Sequence, residues 1–224
     1  MRDGAFPEEE REKYMDVVLD ETARLTALVR DLLDLSRIES GKMLLKNEKF
    51  LFRDFINNIN TMIYNQAHVK NLDYECTVSS EVAEAYIGDA MKLQQVLINL
   101  IVNALQAMPD GGRLTLTSRD WLEEGRRVGA EIAVCDTGQG IAAEDLSRIF
   151  DPFFTTKKGS GTGLGLSISY AIVERYGGHI SVTSQPGNGA CFTVHLRSEA
   201  CYTDAPTAPG FAARWSAPAI EKHE

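Results

Sequence analysis

The chain has 224 residues, 44% of them hydrophobic, and carries a formal net charge of −9 with a pI near 5.0. That length allows one main core plus an appendage, and the acidic balance argues against a nucleic-acid surface, which relies on clustered Lys and Arg to meet phosphates. No apolar run approaches the roughly 18 residues of a membrane span, and the first residues, "MRDGAFPEEERE", are acidic rather than signal-like, so a soluble, cytoplasmic chain is expected.

From Glu8 to Ser40 there is no Gly or Pro, and Leu25, Leu28, Leu32 and Leu35 recur at alternating three- and four-residue steps. The spacing predicts one amphipathic helix, ended by Gly41 and about 50 Å long at 1.5 Å per residue. A rod of that length outruns a compact domain, so its leucine stripe is expected to pair with other helices, as a homodimer or another helix-mediated association. Helical apolar spacing returns over residues 50–70 and 91–108, the second after Asp89, a suitable N-cap. "PDGG" at 109–112 then turns the chain. "RLTLTSR", "GAEIAVCDT" and both arms of "HISVTSQPGNGACFTVHL" alternate apolar and polar residues as half-buried strands do, the last as a hairpin around "PGNG". A further helix, "GLSISYAIVERYGG", precedes that hairpin and stops at Gly177. The predicted class is an α/β (α+β) sandwich, a mixed and largely antiparallel sheet covered on one face by helices. After Arg197 the pattern dissolves, and residues 198–224 are expected to form a flexible tail. Cys76, Cys135, Cys191 and Cys201 lie scattered, with neither Cys-x-x-Cys nor a His at ligand spacing, which predicts free thiols in a reducing compartment rather than metal ligands or disulfides.

Three segments carry polar chemistry. Gln95, Asn99 and Asn103 sit four residues apart in the otherwise apolar "QVLINLIVNAL", placing three carboxamides on one helix face. Buried amides need partners, and an amide oxygen is also a hard, neutral ligand for Mg²⁺, which usually takes one or two protein oxygens plus substrate phosphates and waters. In "DTGQGI", 136–141, an Asp ends a strand beside glycines, where it can accept a hydrogen bond from an exocyclic amine such as that of adenine; an Asp-led turn is the plainer alternative. "IFDPFFTTKKGSGTGLGLS" then sets aromatic residues Phe150, Phe153 and Phe154 before a loop in which Gly159, Gly161, Gly163 and Gly165 alternate. The lysines precede the glycines, so this is no P-loop, and the glycine spacing is not that of a dinucleotide fingerprint.

"DTGQGI", "IFDPFFTT", "GSGTGLGLS" and "QPGNGACF", in that order after the asparagine-bearing helix, resemble the ATP-binding catalytic domain of sensor histidine kinases. The resemblance covers about residues 46–197, and "LDETARLTALVRDLLDLSRIESGKM" within residues 8–41 looks like the second helix of those kinases' dimerisation and phosphoacceptor hairpin, with residues 1–7 in its turn. It implies a sandwich fold shared with gyrase-type, heat-shock-chaperone and mismatch-repair ATPases, and ATP and Mg²⁺ as cofactors. It also implies a two-component phosphorelay whose partners are a histidine-bearing kinase helix and a response-regulator receiver domain. Carried over, Asn103 becomes the Mg²⁺ ligand, Asn99 its phosphate-side and catalytic neighbour, and Asp136 the adenine-reading carboxylate, given room by Gly138 and Gly140 with Ile141 beside them. Thr155 to Ser160 becomes a mobile lid carrying Lys157, with a catalytic role, and Lys158. The cradle from Gly161 through Thr162, Gly163, Leu164, Gly165 and Leu166 to Ser167 would hold phosphates at a helix start, where N–H groups are unpaired.

The hydrolytic relatives in that superfamily place a glutamate one helical turn before the Mg²⁺ asparagine, where it activates water. Asn99 stands there, and an amide cannot take that proton, so phosphotransfer is favoured over hydrolysis. Two positions depart from the pattern: Gln106 replaces a frequent Lys, and Ala190 replaces the Thr that usually follows Gly-x-Gly. His68, His179, His195 and His223 all lack the acceptor context, so the γ-phosphate is expected to go to a histidine on another polypeptide, the chain alone being unable to autophosphorylate. A nucleotide-binding regulator or anti-sigma-type serine kinase of the same superfamily, or a non-catalytic adaptor, are the alternative readings.

Overall fold

The computed structural model describes residues 8–79, 82–157 and 161–197. The expected lid residues Lys158 to Ser160, the turn region at 1–7 and the tail at 198–224 lie outside them. A first helix, α1 (Glu8–Glu39), runs unbroken through the Gly- and Pro-free stretch and ends at Gly41, whose φ of +69° is the left-handed conformation that suits glycine at a helix stop. A short strand, β1 (Glu48–Leu51), leads directly into α2 (Phe52–Val69). The helix expected from residue 50 therefore starts two residues later, because Phe50 and Leu51 pair with Tyr86 and Ala85 of β3 (Ala85–Gly88) in a two-stranded antiparallel sheet.

The main sheet has five strands in the order β2-β4-β5-β7-β6: β2 (Leu72–Val78), β4 (Gly112–Glu123), β5 (Arg126–Asp136), β6 (His179–Ser184) and β7 (Ala190–Arg197). β2 pairs with β4 in parallel and every other neighbouring pair is antiparallel. β4 and β5 extend beyond the predicted runs into a hairpin turned by Glu124 and Gly125, both at positive φ. On one face of this sheet Leu114, Leu116, Ile132, Val134, Phe192, Val194, Ile180 and Val182 are buried. They form one core with the apolar faces of α2, α3 (Ala90–Ala107) and α4 (Gly165–Arg175). α3 begins at the predicted cap, where the Asp89 carboxylate accepts from the Lys92 N–H at 3.1 Å.

The sheet's other face carries the one departure from the expected cysteine chemistry. Cys135 on β5 and Cys191 on β7 are directly opposed, their Cα atoms 4.0 Å apart, and they are joined in a disulfide. The scattered positions in sequence concealed a cross-strand register that brings the two thiols together. Cys76 is a free thiol packed partly against the core.

α1 buries apolar side chains on the domain at its C-terminal end. Leu35 and Ile38 are buried, while Leu25 and Leu32 of the predicted stripe remain 60% and 40% exposed. The dock is also polar: Asp34, 4% exposed, accepts both from the Lys92 ammonium at 2.9 Å and from the Gln95 amide at 3.0 Å. Arg175 of α4 adds bonds to the Met43 and Ile38 carbonyls. Removing the carboxylate strands a half-buried ammonium, so Asp34→Ala should cost about 1–3 kcal/mol, less than a fully buried pair because the Lys92 side chain keeps 23% exposure. The expected result is a lower Tm with faster amide exchange over residues 31–39; unchanged exchange there would mean that Leu35 and Ile38 hold the helix without it.

Candidate functional site

A cavity of about 660 Å³ opens between α3, the end of β5, the segment 154–157 and the start of α4, a size suited to a nucleotide-sized ligand. Asn99, Asn103, Asp136, Gly140, Ile141, Lys157, Gly161, Thr162, Gly163, Gly165 and Leu166 all line it. Elements far apart in sequence thus bring the predicted polar residues to one place.

Asp136 is the last residue of β5 and is 8% exposed. One carboxylate oxygen accepts from the Gly138 N–H at 2.8 Å and from the Ala190 N–H at 3.3 Å. Burial pushes this carboxyl up from its ordinary value, and the two N–H donors and the Lys157 charge pull it back. Among the described residues no donor meets its second oxygen, so a rigid, desolvated acceptor faces the cavity. Gly138 itself does not line the cavity: a Cβ there would come 2.5 Å from the Ala107 carbonyl oxygen, so its glycine serves the approach of the loop to the end of α3 rather than room for a ligand. Gly140, at φ +69°, would bring a Cβ to 2.1 Å from the Gln185 carbonyl oxygen and is likewise fixed by backbone.

The three carboxamides of α3 part company. Gln95 turns away into the Asp34–Lys92 network. Asn99 donates to the Gly165 carbonyl at 3.1 Å and to the Ser169 hydroxyl at 3.2 Å, clamping α3 to the first turn of α4. Asn103 reaches the cavity, where its oxygen accepts from the Lys157 ammonium at 2.8 Å; the same ammonium meets the Gln106 oxygen at 2.7 Å. Burial pushes the Lys157 amine down from its ordinary value, opposed by the charge of Asp136. No group of three His, Cys, Asp or Glu able to hold a metal occurs among the described residues. A hard cation arriving with its own phosphate and water oxygens would nonetheless fit at Asn103, whose oxygen already faces a positive charge.

At the start of α4 no side chain caps the helix from its N-cap residue, Leu164, so first-turn N–H groups open toward the cavity where an anion is favoured. Leu164 is fully buried and contributes packing, not lining. Gly163, at φ +68°, lies so close to Phe153 that a Cβ would sit 2.4 Å from that residue's carbonyl carbon. Of the aromatic box, Phe150 is buried against Tyr170 and Phe154 lines the cavity under the Arg148 guanidinium, whereas Phe153 is 61% exposed and anchors by backbone alone.

Some lining residues escaped the sequence reading. Arg24, Ala27 and Asp31 of α1 form part of the wall, and Phe192 comes from β7. The alternation of β7 marked Phe192 as inward-facing, but nothing local to α1 points to a cavity whose next lining residue in sequence is Asn99. None of the described histidines approaches the site: His68 is exposed at the end of α2, and His179 and His195 stack at 4.1 Å on the far face of the sheet beside Trp121.

The family described as "Histidine kinase-, DNA gyrase B-, and HSP90-like ATPase" matches residues 88–200. The signal transduction histidine-protein kinase BarA of Escherichia coli K12 is 32% identical over 188 residues, which cover 82% of this chain and 20% of that protein. The chain thus spans about a fifth of the length of the curated relatives it matches. Among solved structures, full-length ShkA in complex with AMPPNP superposes with a TM-score of 0.73 at 26% identity, covering 84% of this chain and 39% of that one. The histidine kinase ThkA in complex with the response regulator TrrA gives 0.67 at 26% identity, covering 88% and 54%. No described helix is long and apolar enough to cross a membrane. Sequence and fold together make this chain a member of the histidine kinase-, DNA gyrase B- and HSP90-like ATPase family, as an ATP-binding catalytic domain of the sensor histidine kinase kind.

Proposed function

We propose that the chain binds Mg-ATP and passes the γ-phosphate to a histidine borne outside these 224 residues, as one step of a phosphorelay toward a response regulator. The observation that carries this reading is the division of labour along α3. Asn103 presents an oxygen to the cavity, while Asn99, one turn earlier, is an amide whose nitrogen already bonds α4. No base stands at that turn to activate water, so the site is suited to holding a γ-phosphate for an incoming nucleophile rather than hydrolysing it. The histidine ring nitrogen bonds to the γ-phosphorus as the bond to the β–γ bridging oxygen breaks, and ADP leaves.

In this reading Asp136 takes the adenine amine on its free oxygen, the opening of α4 and the glycines at 161–165 take the phosphates, and Lys157, with Lys158, supplies charge from the lid. Asn103 would hold Mg²⁺, which when bound offsets charge on the phosphate oxygens. The exposed part of the α1 stripe would meet a partner helix, and the nucleotide and response-regulator complexes of the two structural neighbours support ATP and a receiver domain as partner kinds.

Three measurements test the proposal. Mixed with an ATP-binding-dead kinase that bears the acceptor histidine, the chain should transfer label from γ-labelled ATP into acid-labile phosphate on the partner and acquire none itself. A tight complex without transfer would make it an adaptor, and labelling of the isolated chain would place the acceptor within it. Asp136→Asn should weaken ADP binding about 10- to 100-fold, the loss of one hydrogen bond to a charged acceptor. The fold penalises the ionised carboxyl, so its stability contribution is fully present below the unfolded pKa and lost as pH rises through the raised folded value. The Asn variant should accordingly be no less stable than the parent at pH 7.5, with the comparison moving toward the parent as pH falls; an unchanged ADP affinity would overturn the adenine assignment. Asn103→Ala should abolish most of the gain in ADP affinity that Mg²⁺ confers, read by calorimetry with and without the metal, while leaving adenosine binding unaltered.

A further inference from the structure

We infer that Cys135 and Cys191 are a redox modification site, a dithiol–disulfide latch that sets how firmly the adenine end of the cavity is held. Each cysteine is bonded in sequence to a residue of that end: Asp136 follows Cys135, and Ala190 precedes Cys191. Those two neighbours meet in the 3.3 Å bond from the Ala190 N–H to the Asp136 carboxylate. The β5–β7 ladder runs from Gly129↔Arg197 to Cys135↔Cys191 and ends there, so the latch closes the last rung before the cavity. Beyond it, the Ala190 bond and the tight seat of Gly189 on the Asp136 carbonyl hold the strand ends themselves, while the Gly187 N–H to the Gln139 carbonyl at 2.8 Å and the Ile141 N–H to the Ser184 hydroxyl at 2.9 Å tie the loop after β5 to the hairpin.

The 55 residues between the two cysteines contain the glycine turn at 138–140, the aromatic box, the segment at 154–157 and α4. Oxidation therefore ties off the whole loop that folds around the cavity. With the disulfide in place the carboxylate and its donor are fixed relative to each other; with two thiols the end of an antiparallel ladder is free to fray, and a frayed fraction lowers apparent affinity in proportion.

The chemistry is open to small reagents because both cysteines lie half-buried on the sheet face that no described helix covers. A low-molecular-weight disulfide of the glutathione type suffices as oxidant. One cysteine thiolate attacks a reagent sulfur, breaking the S–S bond and releasing one thiol. The second cysteine then attacks the protein sulfur of the mixed disulfide and releases the other thiol. Two electrons pass to the reagent, and both cysteine protons leave with the released thiols or the solvent. Cys76 stands on β2, packed partly on the core, and takes no part.

The effect on nucleotide rests on the reading of Asp136 given above, so the test separates the two. In the full chain with Cys76→Ser and Cys201→Ser, equilibration against oxidised and reduced glutathione followed by alkylation and intact mass should show zero adducts at one extreme and two at the other. ADP affinity should be about 3- to 10-fold weaker in the reduced form. Cys135→Ser with Cys191→Ser in the same background should give the weaker value in both buffers. Two alkylatable thiols at every glutathione ratio, or ADP affinities equal in the two forms, would overturn the latch. Should neither form bind ADP, the nucleotide reading fails instead. The latch is then judged by amide exchange at Gly138 and Ala190, faster in the reduced form if it is right and equal if it is wrong.

Discussion

Where β5 ends, the backbone is woven too closely for any side chain to intervene. A Cβ on Gly189 would come 1.9 Å from the Asp136 carbonyl oxygen, and one on Gly140 would come 2.1 Å from that of Gln185. This steric closeness fixes Asp136: its carboxylate is held by the Gly138 and Ala190 N–H groups, both supplied by the same crossing of chains. A carboxylate so placed is desolvated and unable to turn, which raises its cost in the fold and sharpens its selectivity for a donor that matches. The glycines of the two flanking boxes are therefore structural demands first, and the cavity's chemistry is their consequence.

The second organising element is α3, which distributes three similar amides over three different tasks. Their common four-residue spacing puts them on one face, but the helix is long enough for that face to pass three environments in turn. Near its start it meets α1, in its middle α4, and toward its end the cavity. Asn99 is the hinge of this arrangement, since a side chain engaged with α4 both positions the anion-attracting helix start and forgoes the chemistry a carboxylate would bring at the same point.

Much of this was legible in the sequence. The uninterrupted run to Ser40, the Asp89 cap and the strand alternation of 179–197 each specify an element by local rules, and those elements stand in the structure with ends shifted by a residue or two. The ordered glycine boxes likewise predicted which segments would meet. Pairing was harder to read. β2 pairs in parallel with β4 across the intervening β3 and α3, and β1 is four residues long and abuts a helix, so neither is announced by a hairpin turn. The Cys135–Cys191 bond and the contribution of α1 to the cavity wall depend on register and docking, which spacing along the chain does not encode. Gln95 and Gly138 show the same limit: each sits in the right pattern, yet one partner, Asp34 for the first and the Ala107 carbonyl for the second, claims it for another purpose.

The bond from Lys157 to Asn103 also bears on how any cation reaches that oxygen. The ammonium sits at one end of a segment whose other anchor, the backbone bond between Phe153 and Gly163, is held in place. It is thus a tethered competitor, present at an effective concentration set by chain length rather than by solution. In the proposed reading, binding of a metal-borne ligand at Asn103 would be an exchange of one cation for another. Its free energy would be the difference between two attractions, and the displaced lysine would become available to the ligand's phosphates.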